Sequence, residues 1–217
     1  MAGRKIGGLL AVTLVALVAL AMSSCASMSP KQCQSADWRA IGDSDGGGGY
    51  PMSRLDAHAK ACAKLAITPD PNLYAEGREQ GLKRYCTEMR GFSEGRYGRS
   101  YSYVCPQPAE AAFLGGYVDG ERVFRAEQRL RLAKMDLSIA DQRADKRARQ
   151  ADGVEEELRN PKLTEEQTRE LRDRLARLRR ERREAIEDGR RADEAIRDAE
   201  REVDDLKNRF SGHYGWW

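Results

Sequence analysis

The sequence contains no pair of cysteines at Cys-x-x-Cys spacing and only two histidines. Zinc sites usually take their ligands as close pairs of this kind. His58 lies one helical turn before Cys62, but a cysteine in a disulfide cannot bind a metal, and a lone histidine is more often a packed side chain. We therefore expect no metal site and no other cofactor.

No long block of like charge is present either. Charged residues make up 34% of the chain, yet the formal net charge is only +3. A nucleic-acid partner is held mainly by contacts from a basic surface to phosphates. Because acidic and basic residues are interleaved along the sequence, this attraction has no obvious source. The composition predicts that neither DNA nor RNA is a partner.

The sequence lacks the context that its enzyme-like motifs require. The stretch GFSEG has the spacing of a hydrolase nucleophile elbow with Ser93 as the nucleophile, but such a serine needs a preceding strand, a sheet and a base. The glycine run Gly46–Gly49 lacks the Gly-Lys-Ser/Thr of a phosphate loop. A calcium loop beginning at Asp43 would need Glu where Arg54 stands. We interpret the run as a flexible turn and the protein as a non-enzyme.

Only one long apolar run occurs, from Ile6 to Ala21, and it is short for a stable membrane span of about 20 residues. It follows MAGRK and precedes MSSC, an order typical of a cleaved export signal. MSSC resembles a bacterial lipobox, with Met22 in place of the usual Leu. The pattern predicts a signal peptide at 1–24 and a lipidated Cys25; an ordinary secretory signal that is cut later is the alternative. Ala26 implies sorting to the outer membrane in lipoproteins of the enterobacterial type.

Four cysteines remain after Cys25, an even number in an exported chain, and they predict two disulfides. They are Cys33, Cys62, Cys86 and Cys105. If the helices on either side of TPDPN fold back on each other, Cys62 lies near the bend and Cys86 lies about three to four turns away. A bridge requires Cα atoms within about 7 Å. We therefore favour Cys33–Cys62 with Cys86–Cys105, and Cys33–Cys86 with Cys62–Cys105 is the alternative.

Residues 36–122 are rich in Gly, Tyr and Cys and form the predicted head domain, which a linker at 25–35 joins to the lipid. Two helices are predicted in it, SRLDAHAKACAKLA and LYAEGREQGLKRYC. The stretch that follows them, MRGFSEGRYGRSYSYVCP, is too rich in Gly for a helix and predicts a small irregular hairpin. Three aromatic-x-x-Gly units occur, YAEG, FSEG and YVDG, whose glycines allow turns or close helix packing. We single out Asp45, His58 and Tyr85 as a candidate binding cluster.

Residues 123–210 carry apolar residues in steps of three and four, which is the heptad pattern of packed helices. A turn near 159–164 interrupts the pattern. Pro161 cannot continue a helix, and Thr164 with Gln167 makes a capping box that starts the next one. A short turn of this kind favours antiparallel neighbours.

Folding about Pro161 brings the two arms together with large residues against small ones, for example Leu137 against Ala185. We therefore predict an antiparallel coiled-coil hairpin. The alternatives are a parallel dimer of long helices and two solvated, charged helices without a stable seam. The predicted fold class is mainly α: a small disulfide-stapled helical head is followed by a long hairpin and an aromatic tail at 211–217.

The head resembles a known family in the order and spacing of DWRAIGDSDG, HAKACAKLAITPD, YAEGREQGLKRYC, GRYGRSYSYVCP and FLGGYVDGER. These stretches are similar to the bacterial lipoprotein family called domain of unknown function 2799, over about Cys33 to Val123. The resemblance implies an envelope lipoprotein and no established activity. The residues that carry it, without assigned roles, are Trp38, Gly42, Asp45, Gly46, His58, Cys62, Tyr74, Gly77, Gly81, Tyr85, Cys86, Gly95, Gly98, Tyr101 and Cys105.

These features predict a non-enzymatic outer-membrane lipoprotein of the bacterial envelope that faces the periplasm. We expect acyl chains such as palmitate on Cys25 to enter the lipid membrane. The hairpin would contact an envelope protein, peptidoglycan or a second copy of the chain. The alternative is a ligand-binding or catalytic head that uses Asp45, His58 and Tyr85, with the hairpin as a spacer or dimerisation arm.

Overall fold

The computed structural model describes residues 27–215. The predicted signal peptide at 1–24, the lipidation site Cys25 and the end of the tail at 216–217 lie outside the described residues. Every regular element within the described range is a helix, and none of these helices is long and apolar enough to cross a membrane.

The chain divides into two compact units. The head unit comprises the described residues up to Gly91 together with Ser100–Gly115, and the hairpin unit comprises Phe92–Arg99 together with the described residues from Gly116 onward. The helices are α1 (Pro30–Gln34), α2 (Trp38–Gly47), α3 (Arg54–Cys62), α4 (Pro71–Tyr85), α5 (Glu88–Arg96), α6 (Ala109–Leu158) and α7 (Glu165–Tyr214). A 3-10 turn, Ala63–Leu65, follows α3.

Two disulfides cross-link the head unit, and their pairing confirms the preferred prediction. Cys33 on α1 bonds to Cys62 at the end of α3, and Cys86 at the end of α4 bonds to Cys105. The Cα atoms are 5.5 Å apart in both bridges, well within the range that a disulfide spans.

The turn predicted at Gly46–Gly49 is wrong for its first half, because α2 continues through Gly46 and Gly47 and the turn is formed by Gly48 and Gly49 alone. A Cβ atom on Gly46 would lie 2.2 Å from the carbonyl oxygen of Arg78 on α4. A Cβ atom on Gly77 of α4 would lie 1.9 Å from the carbonyl oxygen of Arg39 on α2. Gly46 and Gly77 therefore let two helix backbones touch, and the glycine run serves a helix contact in its first half and a turn in its second.

The hairpin unit contains a second contact of the same kind, between α5 and α6. A Cβ atom on Gly95 would lie 2.1 Å from the carbonyl oxygen of Tyr117, and one on Gly120 would lie 2.1 Å from that of Phe92. The glycine of each aromatic-x-x-Gly unit thus lies in a close helix contact, which confirms one of the two roles predicted for these residues.

The irregular hairpin predicted after α4 is wrong, since residues Glu88–Arg96 form α5. The glycines that argued against a helix face a neighbouring backbone, so helix packing outweighs their weak intrinsic helix propensity. Ser93 lies within this helix, so GFSEG does not form the strand-to-helix turn of a nucleophile elbow.

The long hairpin is confirmed: α6 and α7 pack against each other, and Thr164 and Gln167 form the predicted capping box. Most of the seam is buried. The buried seam residues of α6 are Val123, Ala126, Ala133, Ala140, Ala151 and Val154. Those of α7 are Leu175, Leu178, Ala185, Gly189, Ala192, Ile196, Ala199, Val203, Leu206 and Phe210. Arg182 is the seam position that is exposed.

The register of the arms differs from the prediction by about one heptad. Gly189 lies against Ala140, since a Cβ atom on Gly189 would lie 3.7 Å from the Ala140 Cβ atom, whereas the predicted alignment of Leu137 with Ala185 places Arg182 at that level. Ion pairs from Arg129 to Glu202 and from Lys134 to Glu200 fit the same offset. The reason lies in the turn between the two helices. The first turns of α7 extend past the end of α6, so the two arms are not symmetric about Pro161.

The ends of the hairpin also differ from the predicted boundaries at 123 and 210. The helix α6 begins at Ala109, and α7 continues to Tyr214 in the segment predicted as a tail. The Tyr214 ring stacks on Phe92 with a centroid distance of 4.0 Å, and its hydroxyl donates to Asp119 at 3.1 Å. The described part of the tail is therefore packed onto the hairpin unit.

We predict that Gly77→Ala lowers the free energy of unfolding of the head by about 3 kcal/mol, because the new methyl group collides with backbone that cannot move aside. Gly153→Ala in α6 is the matched control. No atom lies within 4 Å of its Cβ position, so the substitution should add about 0.5–1 kcal/mol through helix propensity. Urea unfolding, monitored by circular dichroism, measures the free energy of unfolding of both variants. An equal change in the two variants would contradict the close contact at Gly77.

We predict that Arg182→Leu stabilises the hairpin by about 1 kcal/mol. Extending the observed register from Gly189 places Arg182 level with Arg147, so this layer of the seam is polar, and polar seam residues reduce helix-pair stability. Arg183→Leu, at the neighbouring exposed position, should bring no gain. Thermal melting measures both variants, and a lower melting temperature for Arg182→Leu would count against this register.

Candidate functional site

Asp45, His58 and Tyr74 form a buried polar network in the head unit. The Asp45 Oδ2 atom lies 2.7 Å from His58 Nε2 and accepts a hydrogen bond of 2.8 Å from the Tyr74 hydroxyl. The three residues are only 8%, 3% and 0% exposed. Because a carboxylate only accepts, Nε2 of His58 carries the proton and donates. The predicted pair of Asp45 and His58 is therefore in direct contact.

Three different helices supply the network. Asp45 lies in the last turn of α2, His58 on α3 and Tyr74 in the first turn of α4. The glycine contact between α2 and α4 brings Tyr74 within reach of Asp45. The network therefore depends on backbone packing, and no loop is needed to position it.

The environment of Tyr74 keeps its hydroxyl protonated. Burial raises the pKa of Tyr74 well above its ordinary value, and the hydrogen bond to Asp45 and the negative charge of that carboxylate add to the effect. A tyrosine held neutral is a permanent donor to Asp45. The carboxylate thus keeps two donors, which compensates for much of the cost of burying it.

Tyr85, the third predicted member, contacts other residues. Its ring stacks on Phe113 with a centroid distance of 5.0 Å and lies against Gly49, where a Cβ atom would be 2.2 Å from its Cζ atom. Tyr74 takes the place that was predicted for Tyr85. The signal that identifies it is its spacing of three from Gly77, which puts both residues on the face of α4 that packs on α2.

The N-terminal segment binds to this network. The Ser27 Oγ atom lies 3.0 Å from His58 Nδ1, and Met28 is buried beside Cys62 with a sulfur–sulfur distance of 4.0 Å. Ser29 then caps α1 with Gln32 in a capping box. The described part of the segment predicted as a linker, from residue 27 to 35, is therefore packed onto the head unit.

A cavity of about 440 Å³ opens beside the network. Its lining includes Ser27, Ser44, Asp45, Arg54 and His58. The Nε atom of Arg54 is buried and has no hydrogen-bond partner in the described structure, and its guanidinium lies 4.7 Å from the centroid of the Tyr50 ring. A small anionic or hydroxylated ligand would meet the Arg54 cation and two serine hydroxyls there, beside the carboxylate of Asp45, which His58 and Tyr74 already bond.

Residues 27–215 contain no group of three or more His, Cys, Asp or Glu side chains placed to hold a metal ion. The arrangement of Ser27, His58 and Asp45 follows the order of nucleophile, base and acid. Here Asp45 lies at Nε2 and Ser27 at Nδ1, the reverse of the serine-protease arrangement.

A second surface lies on α7, where arginines project from one stretch of the helix. All are exposed, and none of them forms an ion pair with a residue in the described range. We call them the arginine surface: Arg172, Arg177, Arg180 and Arg183. This stretch therefore carries an excess of positive charge, although the exposed Asp173 and Glu184 are interleaved with the arginines.

Comparison with known proteins identifies the head alone. Residues 37–122 match a family described as protein of unknown function (DUF2799). No curated protein and no solved structure matches the chain. The prediction of this domain in the head is confirmed, and the hairpin from residue 123 onward lies outside the match.

We predict that Asp45→Asn lowers the free energy of unfolding of the head by about 2–3 kcal/mol. His58 and Tyr74 both bond the Oδ2 atom, and a neutral amide oxygen in its place loses the charge that strengthens both bonds. Asp43→Asn is the matched control. Asp43 is half exposed and pairs with the exposed Arg84, so its loss should change little. Urea unfolding monitored by circular dichroism compares them, and equal losses would show that the network adds no stability.

Proposed function

We propose that the protein is a lipid-anchored structural or interaction module of the bacterial envelope. Its residues 37–122 form a domain of unknown function 2799. Its anchor is Cys25 in the outer membrane, its head faces the periplasm, and its hairpin contacts another envelope component. The observation that carries the proposal is a hairpin of two 50-residue helices attached to a small cross-linked head.

The packing of residues after Cys25 supports a tightly held anchor. Ser27 bonds to His58 and Met28 is buried in the head. Since only Ala26 separates Cys25 from Ser27, and a residue spans at most about 3.5 Å, a lipid on Cys25 would hold the head within about 7 Å of that attachment point. Only one residue would then separate the lipidated cysteine from the packed part of the head.

The surface of the hairpin supports a contact role. Its helices are each about 75 Å long at 1.5 Å per residue, far longer than a small head needs for support. The arginine surface on α7 lacks partners within the described residues, so it is available to an acidic partner in the envelope. The seam already stabilises the hairpin, and these arginines add nothing to it.

We predict that the protein incorporates labelled palmitate in cells, and that Cys25→Ser abolishes both the labelling and sedimentation with membranes. Ser27→Ala, two residues further on, is the control and should keep the label, because the thioether forms on Cys25. Metabolic labelling followed by membrane fractionation is the measurement. Label on the Cys25→Ser variant, or none on the unaltered chain, would refute the anchor.

The contact role is tested in the same cells with a photo-crosslinking amino acid at position 180 on α7 and at Leu73 on the head. An adduct from position 180 that disappears when Arg177 and Arg183 are changed to Glu supports the hairpin as the contact. An adduct from Leu73 alone would favour the head.

The cavity beside Asp45 and His58 supports a second candidate, a head that binds a small anionic ligand through Arg54. Under this proposal the hairpin is a spacer. His58→Gln and Arg54→Gln would then abolish a cellular phenotype that reversal of the arginine surface leaves intact. The opposite pattern would favour the hairpin.

A further inference from the structure

The hairpin seam occupies one face of α6, and a second set of residues at steps of three and four runs along the opposite face. We call this set the outer stripe: Gln128, Leu132, Met135, Ile139 and Gln142. It contains no charged residue, although charged residues make up 34% of the chain. In a hairpin with so many charges, an uncharged stripe about 21 Å long requires an explanation.

The three apolar members of the outer stripe are strongly exposed. Leu132 is 53% exposed, Met135 52% and Ile139 38%. Packing against α7 therefore does not explain why these three positions are apolar. Clustered exposed apolar residues on a helix face mark an interaction site more often than scattered ones do. The stripe has the same three-four spacing as the seam, which is the spacing that packs against another helix.

We propose that the outer stripe binds a second copy of this chain, with the two α6 helices parallel and in register. This inference deepens the proposed contact role of the hairpin, and it rests on the proposed anchor only for the parallel orientation. In a parallel pair each stripe residue meets its own counterpart, so that Leu132 packs on Leu132 and Ile139 on Ile139, as in a two-stranded coiled coil.

Charge complementarity favours a second copy over an unrelated helix. Arg131 and Asp136 flank the stripe on opposite sides, and neither forms an ion pair with any described residue. They are five residues apart, the spacing that joins flanking positions of parallel helices. Arg131 of each copy would therefore meet Asp136 of the other, and two-fold symmetry forms this pair twice.

An antiparallel arrangement fits less well. It places Leu132 on Met135 and Gln128 on Ile139. Arg131 would then face Ser138, and Asp136 would face Arg129, which already pairs with Glu202. The parallel arrangement also agrees with two chains that are anchored in one membrane. A stripe of about 21 Å gives an interface below the standard size, so the pair is weak in solution, and a shared membrane strengthens it by raising the effective concentration.

The test uses the full-length chain in cells, with Leu132→Cys and Ile139→Cys as separate variants. In the parallel pair both positions oppose themselves, so each variant should form a disulfide-linked dimer on a non-reducing gel. Ile186→Cys is the matched control, since Ile186 is 44% exposed but lies on α7; it should remain monomeric. Met135→Glu added to Ile139→Cys should reduce the dimer roughly tenfold.

Several outcomes would overturn the proposal. Monomer alone from both stripe variants, or equal dimer from Ile186→Cys, would refute a specific pair. Disulfide formation between coexpressed Gln128→Cys and Ile139→Cys chains, with none from either variant alone, would refute the parallel orientation. A photo-crosslinker at position 135 that yields an adduct with a different protein would refute the second copy and leave the contact role standing. Circular dichroism of Met135→Glu should match that of the unaltered chain, because Met135 is exposed.

Discussion

Direct backbone contact between helices is the constraint on which the head depends. Gly77 lies so close to Arg39 that any side chain would collide with the carbonyl group, and this contact brings the Tyr74 hydroxyl to the Asp45 carboxylate. A buried carboxylate is costly unless hydrogen bonds compensate for its lost hydration. The glycine contact therefore does more than pack two helices: it supplies one of the two donors that make a charged group tolerable inside a small domain.

The hairpin is built on a different principle, with side chains between its helices. Its cross-arm ion pairs, such as that between Arg179 and Glu155, are largely exposed, and exposed pairs contribute about 0–1 kcal/mol each. The buried seam is therefore the main source of stability. Because long runs of alanine and leucine satisfy the seam in more than one alignment, the register is set by the tip, where α7 starts before it meets α6.

The sequence predicted most of the fold because its strongest signals are local or periodic. Three-four spacing, the capping box at Thr164 and the even cysteine count each have one simple structural meaning. A glycine has two possible structural meanings, because the lack of a side chain permits both a turn and a close helix contact. The predictions for the glycine-rich parts of α2 and α5 were wrong for this reason. In the same way, Tyr74 was missed in favour of Tyr85, because the face of α4 that meets α2 becomes clear only once the glycine contact is recognised.

The residues that the fold does not use are the best guide to function. Met28 is buried in the head and Ser27 bonds to His58 there. The apolar residues between α6 and α7 are buried in the seam. The apolar residues of the outer stripe and the arginine surface remain exposed once the head and the seam have formed. An exposed apolar side chain gains nothing from the folded hairpin, and like-charged arginines on one stretch repel each other at some cost. Surfaces that do not stabilise the fold and yet have an ordered arrangement are consistent with binding. The hairpin therefore supports an interaction role at least as strongly as the polar network of the head supports a ligand site.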